Sequence, residues 1–561
     1  MRILFLGRHY GYFRNFESVL RALASHGHAI HLAVEREETH GGTRLVERLA
    51  AEYPTLTHGT APGREDDDRT WAAGRLRLGL DYLRYQHRVF DEAYKLRARA
   101  RARTPSAFVA LGDAVHAAGG WSRAAASAML RRLERAVPED PAIPAFLEEQ
   151  RPDVVLLTPL IDLGSSQIDY LRAARARGIP TALCVWSWDH LSSKALIRES
   201  PDRVFVWNHT QKREAIELHG VPDARVVVTG AQCFDQWFDR APSRGRAQFC
   251  RDAGLPPDRP ILLYACSALI HGSPIEAVFV AEWIRRLRAS VSPALREAAI
   301  LVRPHPSRIA EWEGVDLREW GAVVWGANPV DAQAKADYFD SLYYCAAVAG
   351  LNTSAFIEAG IVGRPVHAIV VPQFEENQYG TVHFRYLVNA GGGLLHVARD
   401  FDEHFRQLDA ALATPVTEVR PFVREFVRPA GLDRAATPIF VDAVEEMGGL
   451  RPARARVDAL LPVWRWALDR LTRARTNVRL ERWTLSAREF ESAERIRRLH
   501  EDKAIRRAEA RAASDAERTR KLQIRAARLE EARRQRSATG ATEERRRAEK
   551  AARHAQKRRL A

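Results

Sequence analysis

The chain reads as an α/β protein with two successive doubly wound sheets, and three features of the sequence predict it. From residue 2 to about residue 430, short runs rich in Val, Ile and Leu alternate with helical patterns, the alternation that lays helices on both faces of a parallel sheet. It opens on a strand, turn, helix, strand unit within the first 35 residues. It then restarts after RAPSRGRAQFCRDAGLPPDRP (240–260), a Pro-, Gly- and charge-rich stretch of the kind that separates domains.

In order along the chain, RILFL (2–6) is a short apolar strand, GRHYGYFRN (7–15) a glycine turn, FESVLRALASHG (16–27) an amphipathic helix stopped by glycine, and AIHLAVE (29–35) a second strand. Residues of about 70–150 carry Arg-, Ala- and Leu-rich helical patterns without assignable chemistry, and are expected to form a helical insertion. Strands resume at DVVLLT (153–158), PTALCVW (180–186), RVFVW (203–207) and RVVVTG (225–230), which gives a first Rossmann-like domain over residues 1–240. PILLYACS (260–267), AAILVRPHP (298–306), AVVWG (322–326), CAAVAGLN (345–352) and PVHAIVVP (365–372) give a second over 241–430. Two such sheets enclose a cleft, and ligands of parallel sheets bind beyond the carboxyl ends of the strands.

Beyond residue 430 the pattern changes. Residues 431–486 are expected to be an amphipathic helical segment, with Trp464, Leu468 and Leu471 at helical spacing among Arg465, Arg470, Arg473 and Arg475. Residues 487–561 read as a basic, charged helix or a disordered tail. The formal charge of +15 is concentrated there: residues 501–561 hold 20 Lys and Arg against 10 Asp and Glu, which leaves +5 for the first 500 residues. The five cysteines (Cys184, Cys233, Cys250, Cys266 and Cys345) are far apart, with neither a disulfide framework nor zinc spacing. No signal peptide precedes the first strand and no run approaches the ~20 apolar residues of a membrane span, so a cytoplasmic protein is expected.

Three strand-end turns in the second half carry the chemistry: YACSALIHGSP (264–274), VRPHPSR (302–308) and AGLNTSAFIEAGIVGRPV (349–366). Strand ends of one parallel sheet point the same way, so Ser267, Arg303, His305, Asn352, Thr353, Ser354 and Glu358 are expected to converge. Small hydroxyl and amide residues opening a helix leave backbone N–H groups free to hold a diphosphate, and a carboxylate one turn further in suits a ribose diol.

With these turns, and with WSWDHLSSK (186–194) and VTGAQCFD (228–235) in the first half, residues 1–430 resemble the GT-B type of nucleotide-sugar glycosyltransferase, near the surface-polysaccharide and CDP-glycerol glycerophosphotransferase-like branch. The resemblance implies that the second domain holds the nucleotide and the first the acceptor. It implies Glu358 as the ribose contact, Asn352, Thr353 and Ser354 as phosphate contacts, and Arg303 and His305 as groups that neutralise the departing diphosphate. The chain departs from those relatives in several places. Polymer-forming CDP-glycerol transferases show an Asp-Tyr-Ser-Ser type turn where this chain has Gly350 to Ser354, and the Ser-Gly-Gly turn of nucleotide-sugar 2-epimerases is absent. Retaining transferases show two glutamates eight positions apart, whereas the residue eight beyond Glu358 is Val366, so an inverting transfer is expected. Such a transfer needs a base on the acceptor hydroxyl; His9, Asp189 and His190 are the candidates, with Ser193 and Lys194 near the donor phosphates. A metal is optional when cationic side chains hold the diphosphate, and no cofactor is required beyond the nucleotide-activated donor.

Each residue also has a purely structural reading. RPHP can be a rigid strand exit in which His305 caps backbone, Asn352 to Ser354 a helix N-cap, Glu358 a solvent-facing carboxylate, and WSWDHLSSK the edge of an aromatic core. His9 can be an ordinary loop histidine. Asp66 to Asp68 lie in a hydrophilic loop and read as solvated rather than as metal ligands. No P-loop, Gly-x-Gly-x-x-Gly, zincin motif or nucleophile elbow is present. The basic tail lacks base-stacking aromatics, which disfavours nucleic acid. With Trp464, Trp466 and Trp483 upstream, residues 460–561 suit an anionic membrane surface and a lipid-linked acceptor. The expected function is inverting transfer from a nucleotide sugar to a surface polysaccharide or its lipid-linked precursor. A CDP-activated polyol-phosphate transferase and a non-catalytic scaffold acting through the tail remain open.

Overall fold

The computed structural model describes residues 1–36, 41–270, 272–414, 420–452, 458–473 and 483–559. Arg475 lies outside them, as do the last two tail residues. The described residues form two parallel-sheet α/β domains of Rossmann-like design, with a helical insertion and a long charged C-terminal helix.

The first sheet has seven strands: β1 (Arg2–Gly7), β2 (Ala29–Val34), β3 (Leu56–Thr60), β4 (Val154–Thr158), β5 (Thr181–Cys184), β6 (Arg203–Val206) and β7 (Val226–Val228), in the order β3-β2-β1-β4-β5-β6-β7. The second has six: β8 (Ile261–Ala265), β9 (Ala299–Arg303), β10 (Ala322–Val324), β11 (Ala347–Gly350), β12 (Val366–Ile369) and β13 (Leu395–Ala398), in the order β10-β9-β8-β11-β12-β13. All pairings are parallel. Central strands such as β4 and β8 are buried along their whole length, as helices on both faces require. Two strands that the sequence reading lacked, β3 and β13, are edge strands.

The insertion lies between β3 and β4 and includes the helices Asp68–Arg84, Tyr94–Arg103, Ser106–Ala118 and Gly120–Arg135. Asp67 accepts from the Thr70 N–H at 2.7 Å, so the acidic run caps a helix. Buried ion pairs hold the insertion together and to the rest of the first domain: Arg77 donates to Glu134 within it (2.8 Å) and to Asp169 in helix Ile168–Ala176 (2.7 Å), and Arg198 donates to Asp81 (2.6 Å).

The stretch after residue 430 divides between two places. Helix Ala436–Met447 returns to the first sheet, where Phe440, Val441, Val444 and Met447 complete the core around Ile3, Phe5 and Phe205. Helix Leu461–Thr472 packs on the insertion through Leu468, 1% exposed, and Trp464, whose ring lies 5.8 Å from the Arg132 guanidinium. Trp464 is therefore spoken for within the fold, which corrects its expected role at a membrane; Trp466 and Trp483 are exposed.

The chain crosses between domains twice, and one carboxylate ties both crossings. Asp235 accepts from Arg428 (2.9 Å) and from the backbone N–H groups of Ala436 (3.0 Å) and Thr437 (2.7 Å), which also caps the returning helix. Ion pairs link the domains on two flanks, Glu17 with Lys335 at 3.2 Å on one, and Glu92 with Arg385 and Lys95 with Glu376 on the other.

The tail is a separate unit, a helix of 73 residues (Ala487–Arg559), about 110 Å long at 1.5 Å per residue. Pairs one turn apart, such as Glu517 with Lys521 at 2.8 Å, line it, and Leu522 and Leu529 are exposed. Among the described residues, no helix is long and apolar enough to cross a membrane.

Candidate active site

Strand order sets where a ligand can bind. In the first sheet the winding direction reverses between β1 and β4, in the second between β8 and β11, and a crevice opens where the loops leaving such neighbours diverge. His9 stands two residues beyond β1, Ser267 two beyond β8, and Asn352 two beyond β11.

On the second domain the two strand ends are pressed together: a Cβ on Gly350 would sit 2.6 Å from the Ala265 carbonyl oxygen. The Asn352 N–H donates to Ser267 Oγ (3.1 Å), and the Ser267 N–H to Glu276 Oε2 (2.8 Å). Ser267 is fully buried, so it braces the crevice floor rather than touching a ligand, which corrects its expected role. Asn352 Nδ2 donates to the Asn377 carbonyl at 2.6 Å, and Thr353 is buried beside it. Ser354 is exposed at the start of helix Ala355–Ile361.

Arg303 closes β9, and its guanidinium lies 5.0 Å from the Tyr338 ring and 5.8 Å from that of Trp325. It donates to Ser341 Oγ (3.2 Å) and the Ala327 carbonyl (3.1 Å). Gly326, at φ +109°, makes room for it: a Cβ there would sit 2.1 Å from Arg303 Nη1. The arginine is held by protein groups and acts on the crevice through its charge. His305 Nδ1 accepts from the Ser307 N–H at 3.2 Å, which assigns the ring proton to Nε2. Burial, with Arg14 and Arg308 nearby, lowers this histidine to about 4. It is neutral at pH 7, a hydrogen-bond donor rather than the expected cation.

Glu358 is partly buried and accepts a short hydrogen bond from Tyr338 Oη. Burial raises its carboxyl to about 7, against the opposing pull of Tyr338, Arg14 and Arg303. Arg14 comes from the first domain, in the turn Tyr10–Phe16, and is exposed. Its charge bears on both Glu358 and His305, so these three groups span the crevice from opposite walls.

On the first domain, the His9 ring lies 4.6 Å from that of Tyr12, which meets Trp186 edge-on at 5.0 Å. Lys194 sits 5.9 Å from the Trp186 ring and 3.6 Å from Asp189. Burial alone would raise Asp189, but Lys194, His383 and the Ser187 and Ser193 hydroxyls outweigh it and hold the carboxyl far below the ordinary range. Such a carboxylate is an anchor and a poor base, and Ser193 is taken up by it at 2.7 Å. His190 is fully buried, its Nε2 bonded to the Pro159 carbonyl at 2.9 Å, and burial lowers it to about 3. The ring is turned into the fold and is spent on that carbonyl. Of the three candidates, His9 alone stands at the strand-order reversal with a partly open ring.

No family model matches the chain, and no curated protein matches it in sequence. Among solved structures, UDP-GlcNAc 2-epimerase from Neisseria meningitidis bound to UDP-GlcNAc is similar over 80% of this chain and 100% of its own, at 11% identity and a TM-score of 0.44. A glycosyltransferase from Rickettsia africae is similar over 80% and 97%, at 11% identity and a TM-score of 0.45. A glycosyltransferase involved in lipopolysaccharide biosynthesis is similar over 80% and 100%, at 11% identity and a TM-score of 0.41. Likenesses of this order assign no activity to the chain.

The residues that sequence reasoning missed are Arg14 and Tyr338. Arg14 lies in the same turn as His9 and was within reach of the strand-end argument. Tyr338 sits in the middle of helix Ala332–Tyr344, and no local pattern connects it to a glutamate on another helix.

Proposed function

We propose that the chain is an inverting GT-B type glycosyltransferase that moves a sugar from a nucleotide sugar to a surface polysaccharide or its lipid-linked precursor. The observation that carries the reading is the crevice between the two domains, with a carboxyl poised near neutrality on one wall and an unburied arginine on the other. Glu358, oriented by Tyr338, accepts the ribose hydroxyls when ionised. Arg14 approaches the diphosphate from the first domain and offsets the charge that develops as the glycosidic bond breaks, with Arg303 adding its field and His305 Nε2–H a hydrogen bond. The exposed Ser354, at the head of helix Ala355–Ile361, offers its hydroxyl to a phosphate. His9 takes the proton of the acceptor hydroxyl as that oxygen attacks the anomeric carbon from the face opposite the diphosphate.

The acceptor end of the reading rests on the tail. Its excess of positive charge favours an anionic leaflet, where lipid-linked saccharides are held, by about 1 kcal/mol per basic residue near the surface.

The test is a melting-temperature panel on the full chain with UDP, GDP, CDP, CMP and dTDP, repeated on Glu358→Ala and Arg14→Ala. One nucleotide should raise the melting temperature of the wild type and do so much less in either variant. If none of the five shifts the wild type, the reading fails. Product analysis with the matching sugar donor then separates sugar transfer from polyol-phosphate transfer.

A further inference from the structure

At the amino ends of the strands, the far side of the first sheet from the crevice, three side chains from three chain segments meet. His26 follows helix Glu17–Ser25, His28 lies one residue before β2, and Glu445 is in the last turn of the returning helix. His26 Nδ1 and His28 Nε2 each lie 2.8 Å from the same carboxylate oxygen, Glu445 Oε1. Gly27, at φ +81°, turns the backbone between the two histidines so that both rings flank one point. His28 Nδ1 lies 3.2 Å from the Met1 terminal amine, a contact that keeps Nε2 facing the carboxylate; with metal on Nε2, the ring proton sits on Nδ1 and the amine, unprotonated, accepts it. Among the described residues, this is the one group of three or more His, Cys, Asp or Glu whose ligand atoms all lie within 4.8 Å of one another.

Two imidazole nitrogens and a carboxylate oxygen form a donor set suited to a borderline divalent metal, with water in the fourth position. We propose that His26, His28 and Glu445 form a zinc site that clips the returning helix to the first domain. Donors on a tetrahedral zinc lie about 3.3 Å apart, so each ring nitrogen, now 2.8 Å from Glu445 Oε1, moves out by about half an ångström as the ion enters between them. His26 is 51% exposed and Glu445 35%, which gives the ion a path in and leaves room for its water. The far nitrogen of His26 faces outward and carries the proton that Nδ1 gives up. The metal takes both rings in their unprotonated form, so zinc and protons compete for the same nitrogens.

The test uses tag-free full-length protein, stripped with a chelator and titrated with zinc against a chromophoric competitor. The wild type should bind one zinc per chain and melt at a higher temperature with it. Single variants His26→Asn and Glu445→Gln should each weaken binding by at least about tenfold and lose the melting shift. His26 is on the surface, so its variant should melt as the metal-free wild type does, which separates loss of the site from loss of the fold. Cobalt should give the strong visible absorption of a four-coordinate site in the wild type alone. Absence of stoichiometric zinc, or equal binding by both variants, would overturn the proposal and leave two histidines that merely share a carboxylate.

Discussion

Replacing Glu358 by Gln, with binding measured across neutral pH, isolates the one titrating group assigned to the donor. Burial sets the Glu358 carboxyl at about 7, and ribose hydroxyls donate to its ionised form. The ionised fraction is then about one in eleven at pH 6 and ten in eleven at pH 8, so wild-type affinity for the nucleotide sugar should rise about tenfold over that interval. Glu358→Gln keeps the shape and can still accept from Tyr338, but has nothing to titrate. Its affinity should be flat with pH and, at pH 8, weaker by about 1.5 kcal/mol for the lost bonds to a charged acceptor. Calorimetric titration at pH 6, 7 and 8 reads both effects. The ligand should be the nucleotide sugar, because the terminal phosphate of a free nucleoside diphosphate itself titrates near pH 6. A wild type whose affinity is level from pH 6 to 8, or a Gln variant that keeps the tenfold rise, would refute the assignment of Glu358 to the ribose.

Gly326→Ala should lower the urea midpoint by the equivalent of about 1–3 kcal/mol and weaken nucleotide binding, since its Cβ would displace the Arg303 guanidinium. Asp235→Ala strands Arg428, which is 6% exposed, and uncaps the returning helix; a loss of about 3–5 kcal/mol should appear in chemical denaturation. Glu214, buried and bonded to Tyr386 at 2.7 Å, is raised by burial to about 7 from an ordinary 4.5. A carboxyl whose folded value is raised loses stability as pH climbs between those values, by about 3 kcal/mol in full. Glu214→Gln should therefore narrow the stability gap between pH 5 and pH 8, and an unchanged gap would count against that shift. Leu468→Ala should cost about 2–5 kcal/mol and loosen helix Leu461–Thr472 from the insertion, read as faster proteolysis there.

The layout was legible because buried parallel strands are continuous apolar runs, and VVLLT or ILLYA admit few other readings. β3 and β13 escaped for the converse reason. At a sheet edge only part of a strand is buried, so LTHGT shows a single fully buried side chain and LHVA another, and neither makes a run. Strand-end logic places His9, Asn352, Ser354 and Glu358 past the carboxyl ends of β1 and β11, because parallel strands share a direction. It could not say which of those groups face the crevice. Ser267, two residues past β8, and His190, six past β5, are buried and bonded to Glu276 and to the Pro159 carbonyl, partners that no local pattern announces. Protonation was equally out of reach: burial, with Arg14 and Arg308, keeps His305 neutral, while Lys194 and His383 hold Asp189 ionised against burial, and all of these follow from packing.

The returning helix also fixes an order of events at the ribosome. The strands of the first sheet are complete once residue 228 has been made, yet Phe440, Val444 and Met447, which fill that sheet's core, are more than 200 residues downstream. At 5–20 residues per second the interval is roughly ten to forty seconds. During it, the first domain stands with an apolar face open, and before it ends Phe422, Phe426 and Val427, the last fully buried pieces of the second domain's core, have been made. The domain translated first is thus the last to lock, and a chain interrupted between residues 430 and 436 carries a finished second domain on an unfinished first one.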